Sequence, residues 1–238
     1  MEKLKRNKKS YRLYDIKKMF FIGLLSLVYV SALSQAVFYP VKKGMQLEYT
    51  TLNAQKKVQS YTSMKVKDVS GTTDNKMVKV VIQTLNAQKN PTSESMAFDV
   101  NIKGGKIILD PKLMFAPYLQ ANMKITGKPN SIPATLSTGQ TWPDVEVVLS
   151  MSFASSVMQT KVKLTQRKVL AKETIKVLAG TYICYKTTHT VIITPPIGNQ
   201  IKETHIMWFA EGIGHVKTEK YDDKNKLQSI EELSSVKA

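Results

Sequence analysis

Three histidines and one cysteine are the side chains of this 238-residue chain best suited to acid–base, nucleophilic or metal chemistry. His189, His205 and His215 do not form a spaced metal-binding motif, and Cys184 alone cannot complete a Cys/His set of zinc ligands. The sequence also contains no G-x-S-x-G nucleophile turn, no Walker-type phosphate loop and no H-E-x-x-H run. We therefore expect no catalytic residue, no metal and no cofactor.

Two pairs of adjacent carboxylates, Asp222-Asp223 and Glu231-Glu232, are the remaining candidates for general acid–base chemistry. Neighbouring side chains of an extended chain point to opposite sides, so the two carboxylates of each pair cannot act on one substrate together. This arrangement does not favour an acid–base pair, and the sequence predicts that the protein is not an enzyme.

The histidines are interpreted as structural through the hairpin that surrounds Gly212. If Phe209 lies opposite His215 across this hairpin, His205 faces Glu219 on the neighbouring strand. A cross-strand pair of this kind stabilises a sheet without any catalytic role.

The N-terminus has the pattern of a secretory signal peptide. Residues 1–18 contain eight Lys or Arg against two acidic residues, and residues 19–33 form an apolar run. This run of 15 residues is shorter than the roughly 20 that cross a membrane. It has the small residue Ala32 near its end, and Ser34 and Ala36 follow it. We expect residues 1–36 to be cleaved from a single domain over residues 37–238; an uncleaved membrane anchor is the alternative.

The expected destination is the periplasm or the extracellular space. Ala36 occupies the position where a bacterial lipoprotein signal requires Cys, so we expect a soluble product without a lipid anchor or a membrane span after signal cleavage. Cys184 cannot form an internal disulfide because it is the only cysteine, and it is interpreted as a buried apolar residue.

The excess of positive charge bears on the expected partners. Without residues 1–36, which hold eight of the 35 basic and two of the 18 acidic residues, the net charge is +11 instead of +17. Lysines alternate with apolar residues in Lys161-Val162-Lys163-Leu164 and similar runs, which is typical of the solvated face of a sheet. An anion-binding face is the alternative, while nucleic acid is not expected for an exported chain without aromatic-rich basic motifs.

Short segments rich in Val, Ile, Thr and Tyr, separated by Gly, Pro and Asn, predict an all-β domain. The connections are short, which favours antiparallel neighbours and a meander. About a dozen strands are predicted, at residues 45–50, 58–66, 76–85, 93–102, 106–109, 145–153, 160–169, 173–177, 181–193, 201–209, 215–221 and 227–233.

The hexapeptide TLNAQK occurs twice, at residues 51–56 and 84–89. Each copy lies where one predicted strand ends and the next begins, so both are predicted to be hairpin loops with Asn53 and Asn86 able to adopt the left-handed conformation. Two copies without helical periodicity do not indicate a solenoid. The loop at residues 221–227 is predicted to be of the same general kind.

Residues 110–144 interrupt the strand pattern. Asp110 followed by Pro111 predicts the start of a short helix or helical turn that is broken near Pro117, and an extended stretch at residues 124–144 follows it. The segment either fills one open end of the sheet or acts as a movable lid over an apolar cavity. Its apolar side chains are predicted to gather together: Leu113, Met114, Phe115, Tyr118 and Trp142.

The region from Trp208-Phe209 through the Gly212-x-Gly214 hairpin to Glu219 resembles the C-terminal signature of the TapB-like, or DUF3108-like, family of exported bacterial proteins. Further similarity lies in GQTWPD at residues 139–144 and in AGTY at residues 179–182. The resemblance implies a single antiparallel β-sandwich or an incompletely closed β-barrel, similar to periplasmic lipoprotein carriers such as LolA. It implies no catalytic residues, and structural turns are expected at Gly180, Gly212 and Gly214.

Two functions are consistent with these features. The first is a non-enzymatic carrier for an apolar or lipid-like ligand, with an anionic head group at the cavity rim. The second is a structural or interaction module that docks to a protein partner of the cell envelope. The residues predicted to line the cavity are Met114, Phe115, Tyr118, Trp142, Trp208 and Phe209.

We expect the mature chain to begin near Gln35 or Val37, because the small residues that precede these positions suit signal peptidase. Intact-mass measurement of the protein from the envelope fraction checks this expectation. A mass that still includes residues 1–18 would contradict it.

Overall fold

The computed structural model describes residues 37–118, 123–153 and 156–238. The predicted signal peptide at residues 1–36 lies outside the described residues. Across those three ranges, no helix has the length and apolar character needed to cross a membrane.

The described chain is all-β, as predicted. One 3₁₀ helix, η1, covers Pro111–Tyr118 and matches the helical turn expected after Asp110. The strands are β1 (Gln46–Asn53), β2 (Val58–Gly71), β3 (Asn75–Asn86), β4 (Met96–Lys103), β5 (Lys106–Leu109), β6 (Met123–Gly127), β7 (Asn130–Pro133), β8 (Val145–Phe153), β9 (Ser156–Val177), β10 (Gly180–Thr194), β11 (Ile201–Ala210), β12 (Gly214–Tyr221) and β13 (Leu227–Lys237).

All described strands belong to one antiparallel sheet in the order β6-β8-β9-β10-β11-β12-β13-β1-β2-β3-β4-β5-β7. Most neighbours in the sheet are also neighbours in sequence, because tight loops return each strand directly beside the previous one. The sheet does not close, since β6 and β7 remain at its two edges. This is the incompletely closed arrangement that was one of the two predicted architectures.

The observed strands differ from the predicted ones in two places. The segments predicted at residues 160–169 and 173–177 are one strand, β9, because Leu170 is a bulge between the paired residues Val169 and Ala171 and not a turn. The extended stretch predicted at residues 124–144 contains the two short edge strands, β6 and β7.

The segment at residues 110–144 crosses the gap between the two edges of the sheet three times. The chain passes from β5 at one edge through η1 to β6 at the other, returns to β7, and then crosses again to β8. It pairs with both edges, since β6 bonds to β8 and β7 bonds to β5. The segment is therefore part of the wall of the fold, and its interpretation as a movable lid stays a prediction.

Residues that precede β1 close one end of the sheet. The Phe38 backbone N–H donates to Ala134 O at 3.1 Å, and the Gly212 N–H donates to Val37 O at 2.9 Å. The start of the described chain thus connects the loop after β7 with the β11–β12 turn. Phe38 itself is buried with Leu136, Val169 and other apolar side chains.

The two copies of TLNAQK form the same hairpin loop, as predicted. In the first, Asn53 Oδ1 accepts hydrogen bonds from the backbone N–H groups of Gln55 (3.0 Å) and Lys57 (2.9 Å). Asn86 repeats these contacts in the second copy, and Asp222 repeats them in the loop after β12.

The left-handed residue of each loop differs from the prediction. Lys56 and Lys89 have φ of 59° and 63°, whereas the asparagines stay in the ordinary region and use their side chains as acceptors. The third loop places Asn225 at the left-handed position, with φ of 58°.

The glycines predicted at turns have positive φ. Gly180 (140°) starts β10, and Gly212 (68°) and Gly214 (83°) form the β11–β12 turn. A Cβ on Gly214 would lie 3.3 Å from Phe38 O, because the N-terminal residues cross this turn closely.

Asn53→Ala is expected to lower the free energy of unfolding by about 1 kcal/mol, because two loop N–H groups lose their acceptor. Urea unfolding followed by circular dichroism measures the change. Asn53→Asp keeps the acceptor and should remain near the wild type, as should Gln55→Ala at the exposed tip. Equal losses in Asn53→Ala and Gln55→Ala would contradict the role of Asn53.

Candidate ligand-binding cavity

The inner face of the sheet lines a partly open cavity of about 780 Å³. Side chains alternate between the two faces of a strand, so every second residue of most strands contributes to the wall. The wall is mainly apolar, and its aliphatic members and methionines are Met64, Ile82, Ile107, Leu109, Leu113, Ile132, Leu149, Val162, Leu164, Val191, Ile193, Met207 and Ile213.

Three of the predicted lining residues lie at this cavity: Phe115, Trp142 and Phe209. They pack in different places, since Phe115 contacts the cluster around Val147 and the other two belong to the cluster around Phe38. The apolar residues of the 110–144 segment are therefore spread along the wall and not gathered in one patch. The side chains of Met114 and Tyr118 lie outside the part of the chain that the structure describes.

Trp208 does not line the cavity, in contrast to the prediction. It follows Met207 and precedes Phe209, and neighbouring residues of a strand point to opposite faces. Its indole Nε1–H donates to Glu173 Oε1 at 2.6 Å, and its ring packs beneath the ammonium groups of Lys186 and Lys217. The aromatic pair predicted as one lining element is thus divided between the two faces.

All three histidines line the same cavity, which the sequence did not predict. His189 and His205 are paired across β10 and β11, with ring centroids 5.1 Å apart, and His205 Nε2 lies 2.8 Å from Glu203 Oε2. Glu203, His205 and Phe209 are separated by even numbers of residues on β11. Because side chains alternate along a strand, this spacing could have predicted that all three face the cavity.

His215 occupies the neighbouring part of the wall. Phe209 is its cross-strand partner, as predicted, and the ring of Tyr49 stacks on it at 5.2 Å. The predicted pairing of His205 with Glu219 is replaced by His205 with Lys220, because a bulge near Trp208 shifts the register by one residue.

His189 and His215 have pKa values below that of free imidazole. Burial and, to a smaller extent, the charge of nearby His205 lower the pKa of His189 to about 3. Burial also lowers the pKa of His215, against the opposing effect of Glu231. His189 is therefore neutral at neutral pH.

Arg167 is the most buried of the charged residues at the cavity, and sequence reasoning missed it. Gln166 precedes it with φ of 55°, and the register of β9 against β10 shifts between Thr188 and Thr190 at this point. The inward positions of β9 are even-numbered before this bulge, as in Leu164, and odd-numbered after it. The bulge therefore brings Arg167 to the inner face.

The guanidinium of Arg167 is held by neutral groups. Nη1 donates to Pro143 O at 2.9 Å and Nη2 donates to the side-chain Oδ1 of buried Asn130 at 2.6 Å, while the indole of Trp142 lies 5.2 Å away. These contacts connect β9 with β7 and with the loop before β8. Asn130 and Trp142 both belong to the segment that crosses the gap of the sheet.

Cys184 is buried, as predicted. Burial and, to a smaller extent, nearby Glu173 raise the pKa of its thiol to about 11. A protonated buried thiol is a poor nucleophile. Among the described residues, no group of three or more His, Cys, Asp or Glu side chains has a geometry suited to a metal ion.

Comparison with known proteins identifies the family of this chain. The DUF3108-like family profile matches residues 42–233, which include all the described strands from β1 to β12 and most of β13. The chain belongs to the DUF3108-like family. A search of curated proteins gave no match.

Two solved structures resemble this DUF3108-like chain. One is described as an exported protein with a YmcC-like fold from Bacteroides fragilis; it shares 20% sequence identity with a TM-score of 0.72, over 85% of this chain and 100% of its own. The other is described as a lipoprotein from Parabacteroides distasonis, with 21% identity and a TM-score of 0.72, over 85% of this chain and 99% of its own. At these identities the likeness establishes the fold. The name TapB and the likeness to LolA stay predictions.

Acid is expected to destabilise the fold through His189. The unfolded chain takes up a proton near pH 6.5, whereas folded His189 stays neutral until about pH 3, so stability falls as the pH drops between these values. Between pH 7 and pH 5 the wild type should lose about 2 kcal/mol more than His189→Gln. Urea unfolding at both pH values measures this, and equal losses in the two proteins would contradict a neutral buried His189.

Proposed function

We propose that this DUF3108-like protein is a non-enzymatic carrier or binding module for an apolar, lipid-like ligand of the cell envelope. The observation that supports it is the cavity of about 780 Å³ under the sheet. Protein interiors are normally close-packed, and small-molecule sites have volumes of about 300 to 1,000 Å³. A space of this size with apolar walls suits an apolar guest.

The composition of the wall fits a guest of variable shape. Met64 and Met207 contribute flexible, polarisable side chains, and the aromatic rings of Phe115 and Phe209 supply flat apolar surface. Such walls adapt to chains that differ in length or branching.

The proposal of a non-enzymatic role is supported by the state of the reactive groups in the described chain. His189 is neutral through burial, and His205 is engaged by Glu203. Cys184 is buried outside the cavity wall and its thiol is protonated. Among the described residues, neither His189 nor His205 contacts a hydroxyl or thiol. The hydroxyl that does contact a cavity histidine is that of buried Thr218, whose Oγ1 lies 2.7 Å from His215 Nε2. We propose neither a cofactor nor nucleic acid as a partner.

Export through the signal at residues 1–36 forms part of this proposal. One solved relative is described as exported and the other as a lipoprotein, which is consistent with an envelope location. Attachment to lipid is disfavoured by Ala36 in place of Cys. The intact mass of the envelope protein tests both points, since an acylated terminus would add the mass of its lipid.

A second candidate function is an interaction module of the envelope. Large apolar side chains protrude from two hairpin turns at opposite ends of β10: Leu178 and Ile183 are 69% and 64% exposed near one, and Ile197 is 81% exposed near the other. Exposed apolar patches mark protein contacts. A photo-crosslinker at residue 197 in the native host tests this function. A single crosslinked product that persists in Leu178→Ser would assign the contact to the Ile197 end alone, whereas its loss would show that both ends contact the partner.

Ile82→Trp is expected to reduce binding of an apolar fluorescent probe at least fivefold, because the larger ring fills the cavity from β3. Val81→Trp is the matched control, since Val81 points to the other face of the same strand and should leave binding unchanged. Fluorescence titration and mass spectrometry of extracted lipids provide the two readouts. Absence of a saturable site in the wild type, with no copurified lipid, would overturn the carrier function and favour the interaction module.

A further inference from the structure

The charge of Arg167 is not explained by an apolar cavity alone. The residue is only 5% exposed and lies at the cavity wall. A buried charge is costly unless an opposite charge or several hydrogen bonds compensate it. The ion pairs of the described residues do not include Arg167, and exposed Asp144 is the acidic group whose charge acts on it.

The hydrogen-bonding capacity of the guanidinium exceeds its described contacts. An arginine has five N–H donors, and Pro143 O and Asn130 Oδ1 are the two acceptors within the described chain. Both are neutral oxygens, which a glutamine or lysine could also bind. The delocalised charge faces the Trp142 ring at 5.2 Å, while the remaining N–H donors have no acceptor among the described residues.

The backbone beside Arg167 is also in an unusual conformation. Gln166 adopts a left-handed φ of 55°, which is unfavourable for a residue with a Cβ. This conformation is part of the bulge that brings Arg167 to the inner face. Strain that positions a buried cation at a cavity is typical of binding sites.

We propose that Arg167 binds the carboxylate head group of a long-chain amphipathic ligand whose apolar chain fills the cavity. This inference rests on the carrier function proposed above and identifies the chemical class of the ligand. The planar guanidinium matches a carboxylate in geometry, and one cation balances one negative charge. His189, neutral and close enough for its pKa to respond to Arg167, adds no competing charge.

The anionic group then lies in the interior of the cavity and not at its rim, where it is expected from the sequence. On β11 to β13 the wall carries Glu203, Lys220 and Glu231. The two negative charges would repel a carboxylate, and the positive charge of Lys220 acts on Glu203. The two glutamates are paired with histidines on the same strands or their neighbours. The head group is therefore directed to the Arg167 side and the apolar chain to the remaining volume.

The test compares hexadecanoate, its methyl ester and hexadecyl phosphate as competitors for an apolar fluorescent probe bound to the mature protein at pH 8. The wild type should bind the acid at least tenfold more tightly than the ester, and no more weakly than the alkyl phosphate. Arg167→Gln should abolish the preference for the acid while the ester affinity changes less than twofold. Lys168→Gln removes a neighbouring cation from the exposed face of β9 and should keep the preference.

The outcomes separate this inference from the carrier function. Equal displacement by acid and ester in the wild type would overturn the role of Arg167 and leave the carrier function intact. No probe binding at all would overturn both. Tighter binding of the phosphate would reject a carboxylate as the head group, and an unchanged preference in Arg167→Gln would reject Arg167. If Arg167→Gln fails to fold, the comparison of acid and ester in the wild type still tests whether the cavity prefers a carboxylate. Arg167→Lys keeps the positive charge and should retain part of the preference for the acid over the ester.

Discussion

The open edges of the sheet are the constraint on which the rest of the structure depends. An unpaired strand edge exposes N–H and C=O groups that would otherwise join another chain. Here one segment, residues 110–144, supplies both edge strands and crosses the gap between them three times. The hydrogen bonds from Arg167 to Asn130 and to Pro143 hold this segment against β9. Side chains and crossing loops bridge the two edges in place of a continuous ladder of backbone hydrogen bonds. The space inside the curved sheet therefore remains a cavity.

The same contacts connect stability with the proposed binding. Arg167 both holds the crossing segment and, in the proposed function, receives the head group of the ligand. A carboxylate at this position would add an ionic contact beside the two neutral ones and so stabilise the closed wall. Ligands that bind only the folded state raise its stability. Trp142, which packs against the guanidinium, lies on the crossing segment and would share in this effect.

The cavity also shows how bulges decide which side chains meet. One bulge at Gln166 changes which positions of β9 face inward and so brings Arg167 to the wall. Another near Trp208 moves His205 from Glu219 to Lys220. Each shift is a single residue, yet it reverses the face of every side chain that follows, because the period of a strand is two. The polar side of the cavity is therefore a product of local irregularities.

The sequence alone determined the all-β class, most strands, the repeated Asn loops, the glycine turns and the family, because alternation, turn residues and short motifs are local properties. It could also propose Phe115, Trp142 and Phe209 as lining residues from their apolar character. Only the tertiary structure decided that Trp208 faces away, that residues 110–144 provide both edges, and that the histidines and Arg167 surround one cavity. These facts depend on register, bulges and contacts between residues far apart in the chain. A pattern of residue types carries no direct record of them, since a one-residue change in register alters the face without altering the pattern.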